Sequence, residues 1–252
     1  RRCPLINKNH QHIEMRKVTL ILSFFLPALL LAQNFQMHYD FGKNRNYVTT
    51  TFEMFKLDKW GNTFFFVDFD YNLDKDKHPS LAYVELARCF TLGKTPLSAQ
   101  IEYNGGLMAL PDVGGNQALA INNSYLAGLD YGWNSADFTR FLNFKVLYKY
   151  IQGKNPASFQ LTGVWTLNFL ENNLTFTGFA DFWREDNLNY YRPNGDELET
   201  ASLTKFVFLS EPQIWYNFTP NISVGSEVEL GTNFGAIKGT KFCPTLGVKW
   251  TF

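Results

Sequence analysis

The sequence predicts an all-β protein: a transmembrane antiparallel β-barrel of about twelve strands behind an N-terminal signal peptide. Three observations carry this reading. A basic residue pair leads into a short apolar segment near the start, the last segment alternates apolar and polar residues up to its final position, and the chain, 17% aromatic, has no long apolar run between them.

The leading segment comes first. Met15 is followed by Arg16 and Lys17, then by an apolar run from Val18 to Leu31 and the small residue Ala32. That is the layout of a secretory signal peptide. Residues 15–32 are therefore read as the signal peptide with cleavage after Ala32, residues 1–14 as an upstream extension, and residues 33–252 as one barrel domain. The apolar run falls short of the roughly 20 residues of a helical span, and strand-like sequence follows at once. An uncleaved anchor helix is the alternative. No cysteine stands at the cleavage point, which argues against a lipoprotein.

The closing segment is the second signal. Phe242, Pro244, Leu246, Val248, Trp250 and Phe252 alternate with Lys241, Cys243, Thr245, Gly247, Lys249 and Thr251. Period-two alternation means a strand with one apolar and one polar face. A strand that ends on an aromatic residue resembles the closing strand of bacterial outer-membrane barrels, which implies that the barrel-assembly machinery reads Phe252.

Composition narrows the classes. The formal charge is balanced, but Arg1, Arg2, Lys8, Arg16 and Lys17 against Glu14 precede Gln33, so the remainder is mildly acidic. A basic nucleic-acid surface is not supported. Cys89 and Cys243 are too few for a disulfide framework and lack metal-site spacing, so no metal and no cofactor are expected. Strands with apolar outer faces can meet lipid, although an exported β-sandwich or lipocalin-like barrel also alternates.

Candidate strands run near 35–42, 46–57, 62–72, 81–91, 97–104, 118–131, 138–151, 157–169, 174–184, 203–217, 222–231 and 241–252. An even count puts both termini at one end, with short turns there and longer loops opposite. The expected short turns are 58–61, 91–96, 132–137, 170–173 and 218–221, rich in Gly, Pro, Asn and Asp. The expected loops are 73–80, 105–117 and the polar stretch 185–202, which is long enough to fold inward as a plug or outward toward a partner; the first, around 43–45, is short. Trp60, Trp133, Phe169, Tyr216, Phe218 and Trp250 at one end, and Trp183, Tyr190 and Tyr191 at the other, form a candidate aromatic girdle.

If the apolar set faces lipid, the opposite set lines a lumen. Phe65, Val67, Phe69 and Tyr71 then point outward and leave Phe64, Phe66, Asp68 and Asp70 inside. Gln100, Glu102 and Asn104 oppose Ile101 and Tyr103. Thr175, Thr177, Phe179, Asp181 and Trp183 oppose Leu174, Phe176 and Phe182, and Ser223, Glu227 and Glu229 oppose Ile222, Val224, Val228 and Leu230. Lys145, Lys149, Lys241 and Lys249 add positive charge. The candidate solute path is Phe64, Phe66, Asp68, Asp70, Glu102, Asp181, Glu227 and Glu229. Rings there would stack on a flat solute while carboxylates and amides bond its edges; the plainer reading is that opposed charges brace the wall.

From Phe41 to Asn72 the chain runs FGKNRNYVTTTFEMFKLDKWGNTFFFVDFDYN. This resembles the first hairpins of the Tsx-type nucleoside-specific outer-membrane channels and of related outer-membrane barrels. The matching features are a short loop with Asn and Arg, a Thr-rich strand, the turn at Trp60 and Gly61, and the aromatic strand through Phe66, Val67 and Asp68. The resemblance covers about the first quarter of residues 33–252 and implies a twelve-stranded monomeric barrel admitting nucleosides, with Phe64, Phe66, Asp68 and Asp70 in or near their path.

Passive diffusion of small polar solutes is the leading function class, selectivity being set by pore width and lining groups. A non-conducting barrel acting as adhesin or receptor through its loops is the second. A lipid-modifying barrel enzyme is the third, and it needs a histidine base for its nucleophile. Beyond residue 32 the candidates are His38 in the first strand and His78 before Pro79, and neither lies in a nucleophile motif, so no enzyme and no catalytic residues are expected.

Overall fold

A strand that meets lipid on one face must still pair every backbone N–H and C=O along both edges, and a closed sheet of strands satisfies that requirement without helices. The computed structural model describes residues 31–73, 78–109, 117–154 and 158–252. In chain order the strands are β1 (Leu31–Asp40), β2 (Tyr47–Asp58), β3 (Gly61–Leu73), β4 (His78–Thr91), β5 (Leu97–Ala109), β6 (Ala118–Asn134) and β7 (Arg140–Ile151). They continue with β8 (Phe159–Phe169), β9 (Leu174–Tyr191), β10 (Glu197–Ser210), β11 (Gln213–Asn217), β12 (Ile222–Thr232) and β13 (Thr240–Thr251). Among the described residues no helix is long and apolar enough to cross a membrane.

Each strand from β1 to β9 pairs antiparallel with the next. β9 then pairs with β10 through Ala180–Tyr191 and with β11 through Leu174–Thr177. β12 pairs with both pieces and with β13, and β13 pairs with β1 from Asn34↔Thr251 to Asp40↔Thr245. Because β10 and β11 share one place in the ring, the barrel is closed with twelve staves.

The shared place has a local cause. Pro212 has no N–H to give to a ladder, so the strand parts at Glu211–Pro212. The backbone there is still satisfied: Glu211 N donates to Phe179 O at 3.1 Å, and Val228 N donates to Pro212 O at 3.0 Å. Opposite the break, Gly178 has φ +148°, and a Cβ on it would lie 2.4 Å from Glu211 O. Glycine is the residue that fits this approach.

Exposure follows the pleat. Asn34, Gln36, His38 and Asp40 on β1 are buried, while Phe35, Met37 and Tyr39 are exposed. On β13 Phe242, Leu246, Val248 and Trp250 are exposed and Cys243 is buried. The pattern continues around the ring through Leu86, Ile101, Leu129, Phe144, Tyr148, Phe182 and Ile214, all exposed. A belt of this extent is an apolar surface far beyond that of a water-soluble monomer, and it matches hydrocarbon. At the end of the short turns the outer surface carries Arg88, which pairs with Asp58 at 2.8 Å and lies 5.0 Å from the Phe90 ring.

Three expectations need adjustment. Residues 185–202 are not a free polar loop: β9 runs to Tyr191, β10 begins at Glu197, and the two form a projecting hairpin. Alternation there is weak, but backbone pairing does not depend on it. The hairpin also rests on the β12–β13 connection, through Tyr190 N to Ala236 O at 2.8 Å and Lys238 N to Tyr191 O at 2.9 Å. Trp183 is no girdle residue, since its place opposite Gln160 and Val207 turns it inward, where it is buried. Loops 73–80 and 105–117 are shorter than expected, because β3, β4 and β5 extend into them; residues 74–77 and 110–116 lie outside the described residues, as do 1–30 and with them nearly all of the expected signal peptide.

Candidate functional site

Directly paired residues of an antiparallel sheet point to the same side, so the interior can be followed from strand to strand. One row runs Asn34, Glu53, Phe66, Glu85, Asn104, Ser124 and Ile151. The next, toward the short turns, runs Phe55, Phe64, Ala87, Glu102, Leu126 and Lys149. Toward the loops, Thr51, Asp68 and Tyr83 follow Gln36, and Thr49 and Asp70 follow His38. Farther round, Lys145, Thr162, Asp181 and Leu209 follow Asp130.

All eight residues of the sequence-derived path, Phe64, Phe66, Asp68, Asp70, Glu102, Asp181, Glu227 and Glu229, face inward, and each is half-buried. Lys145, Lys149 and Lys249 face inward as well. Tyr83, Glu85, Glu53, Asp130 and Trp215 belong to the same interior and were not singled out in the sequence. For Tyr83 and Glu85 the usable signal was period two itself, counted from Cys89 and Ala87.

Neutral donors hold the interior carboxylates. Thr49 Oγ1 donates to Asp70 at 2.6 Å, Asn34 Nδ2 to Glu53 at 2.9 Å, Tyr83 OH to Glu85 at 2.7 Å and Gln100 Nε2 to Glu102 at 2.6 Å. Thr51 serves Asp68, Thr162 serves Asp181 and Gln213 serves Glu227. Among the described residues, no ion pair within 4.0 Å ties Asp68, Asp70, Glu85, Glu102, Asp181 or Glu227 to a cation. Bracing by opposed charges, the plainer expectation, holds where Arg45 bonds Asp40 at 2.8 Å and Glu229 at 2.6 Å, and where Lys154 pairs with Glu185 at 3.1 Å. Burial opposes the charge of Arg45, but Glu229, Tyr47, Asp40 and Cys243 together outweigh it and raise its pKa.

The inward lysines lie against rings and amides. Lys149 Nζ donates to Gln160 Oε1 at 2.7 Å and stands 4.2 Å from the centre of the Trp183 ring, and Lys249 Nζ stands 4.3 Å from that of Trp215. Phe64 and Phe66 are 5.9 Å apart between ring centres, and Phe66 and Tyr83 are 6.1 Å apart. Charges from different walls also influence one another across the interior. Glu85 on β4 interacts electrostatically with Asp181 on β9, and Glu211 interacts with Asp68 and Glu85.

The histidines are placed differently from each other. His38 is buried, with Nδ1 at 2.9 Å from Thr245 Oγ1, Nε2 at 3.0 Å from Gln36 Oε1, and its ring edge-on to Trp215. It is part of the wall's hydrogen-bond ladder. His78 opens β4 and is exposed.

The chain belongs to the family described as "Domain of unknown function (DUF5020)", whose model matches residues 32–252. No curated protein matches it. Among solved structures it is similar to the NanC porin, at 11% identity and a TM-score of 0.55 over 88% of this chain and 100% of that one. The KdgM porin aligns at 12% identity and a TM-score of 0.47 over 88% and 99%. Omp33 of Acinetobacter baumannii aligns at 14% and 0.41 over 88% and 98%. The likeness to the NanC porin agrees with the closed antiparallel barrel traced through the strand registers.

Proposed function

We propose that this barrel is a bacterial outer-membrane channel through which small polar solutes, nucleosides foremost, diffuse passively. The observation that carries the reading is the two-sided wall. Its outer face is apolar, and its inner face sets the Phe64, Phe66 and Tyr83 rings beside the carboxylates of Asp68, Asp70 and Glu102. Rings that stack on a base and acceptors that bond its edge are the chemistry a nucleoside asks for. Similarity to a protein called a porin supports the channel class.

In this reading the belt meets outer-membrane lipid, the barrel works as a monomer without cofactor or metal, and the closing strand with Phe252 is the element that the assembly machinery recognises. This reading asks for no enzymatic chemistry, and it leaves His38, both of whose ring nitrogens are engaged within the wall, a structural role. A second reading, a receptor or adhesin acting through its loops, is favoured by one observation: the β9–β10 hairpin and the β12–β13 connection are hydrogen-bonded into a single raised surface.

Planar-bilayer recording separates the two. Discrete openings that nucleosides block at low concentration, with sugars and amino acids as controls, are expected. Phe66→Ala should then weaken the block about tenfold, the equivalent of one lost stacking contact. Openings blind to every solute reduce the protein to a general pore, and a folded barrel without conductance transfers the function to the raised loop surface.

A further inference from the structure

We infer that the interior holds a binding subsite for a small organic cation, an ammonium- or guanidinium-bearing solute, formed by Phe66, Tyr83, Glu85, Glu102, Asn104 and Asp181. The inference builds on the channel reading but not on nucleosides as its solute.

The placement comes from register. Phe66, Glu85 and Asn104 stand side by side on β3, β4 and β5, with Tyr83 and Glu102 in the neighbouring rows. Asp181 completes the group from the opposite wall and interacts electrostatically with Glu85. The group is thus assembled across the lumen and not along one strand.

Three features make it a subsite for a cation. First, its carboxylates accept hydrogen bonds from Tyr83, Gln100 and Thr162, all neutral, and pair with no cation within 4.0 Å among the described residues. The nearby Lys149 hydrogen-bonds Gln160 and lies against the Trp183 ring, and although it interacts electrostatically with Glu85, Glu102 and Asp181, those three carboxylates outnumber it. Negative charge therefore remains on offer to a solute. Second, Asn104 is only 5% exposed, and its Oδ1 is buried without a hydrogen-bond partner. A buried acceptor without a donor is costly, and a solute N–H aimed at Glu85 would pass beside it. Third, Phe66 and Tyr83 are neighbouring aromatic rings, and ring faces attract alkylated ammonium groups.

The test uses choline and its uncharged isostere 3,3-dimethyl-1-butanol. Titration calorimetry on the folded barrel in detergent should show choline binding and no isostere binding, whether or not the barrel conducts. Glu85→Gln and Glu102→Gln, which keep size and shape, should each weaken choline about tenfold. In bilayers under a potassium chloride gradient, the reversal potential should favour potassium and move toward chloride in the double variant. Equal binding of choline and isostere, or choline binding unchanged in both variants, overturns the subsite. Choline binding without conductance leaves the subsite standing and overturns the channel.

Discussion

The arc from β2 to β8 and the arc from β9 to β12 reach the same closed wall by different means. In the first, every strand is continuous, and among the described residues register slips occur only in the outer halves of the β3–β4 and β5–β6 pairs. In the second, one stave is split at Glu211–Pro212, and β9 overshoots its neighbours to build the raised hairpin. Both arcs nonetheless keep a polar interior. The interruption spans two residues, so Val207 and Leu209 before it and Gln213 and Trp215 after it face inward alike. Parity along the chain, and not continuity of the ladder, is what the lining requires.

The sharpest way to break the comparison is at the glycines. Gly178 faces the split, where a side chain would collide with Glu211 O and Pro212 Cα, whereas nothing lies within 4 Å of a Cβ placed on Gly163 in the continuous arc. Gly178→Val should cost more than about 3 kcal/mol or abolish folding, while Gly163→Val should stay within about 0.5 kcal/mol. Urea unfolding of the detergent-refolded proteins, read with the heat-modifiable gel shift, checks both. Equal losses at the two positions would show that the split stave is no special case.

A smaller effect is expected where the arcs are joined across the closing strands. Arg45 links Asp40 on β1 to Glu229 on β12 and is about one-fifth exposed, so Arg45→Met should cost about 2 kcal/mol once solvent screening is allowed for. The loss should fall mainly on the split arc, with amide exchange quickening in β12 before β6. Uniform quickening would argue against a separable arc.

The smallest effect is confined to the β6–β7 turn of the continuous arc. Ser135 foremost, together with Thr139, hydrogen-bonds Asp137 and lowers its pKa to about 2. A depressed carboxylate contributes stability above its unfolded value of about 3.9 and loses that contribution as pH falls through about 2. The turn's amides should therefore sharpen between pH 2 and 4 in an NMR titration, and Asp137→Asn should remove that step. A midpoint near 4 in the folded protein would refute the depressed pKa.

Much of this architecture is written in residue alternation. Phe64 to Tyr71, Leu174 to Trp183 and Lys241 to Phe252 state their two faces outright, and their inward members are those the structure turns inward. The lining of β4 is harder to recognise, because Ala82, Ala87 and Arg88 blur the contrast around Tyr83 and Glu85. The split stave carries a sign in Pro212, but alternation reads through it. The paired hairpin at 185–202 hides behind polar residues that need no apolar face to form a ladder. The electrostatic influence of Asp181 on Glu85 follows from the closure of the ring, a global property that no local pattern contains.

Closure has a consequence for chain connectivity. His38 and Thr245, 207 positions apart, share a hydrogen bond, and Phe252 N meets Gln33 O at 3.1 Å. The seam between β1 and β13 is thus a pairing like its neighbours, differing only in the absence of a covalent turn. A circular permutant that joins Phe252 to Gln33 through a short linker and opens at the turn around Leu170 should assemble the same ring, because the order of staves depends on which neighbours pair and not on where the chain is cut.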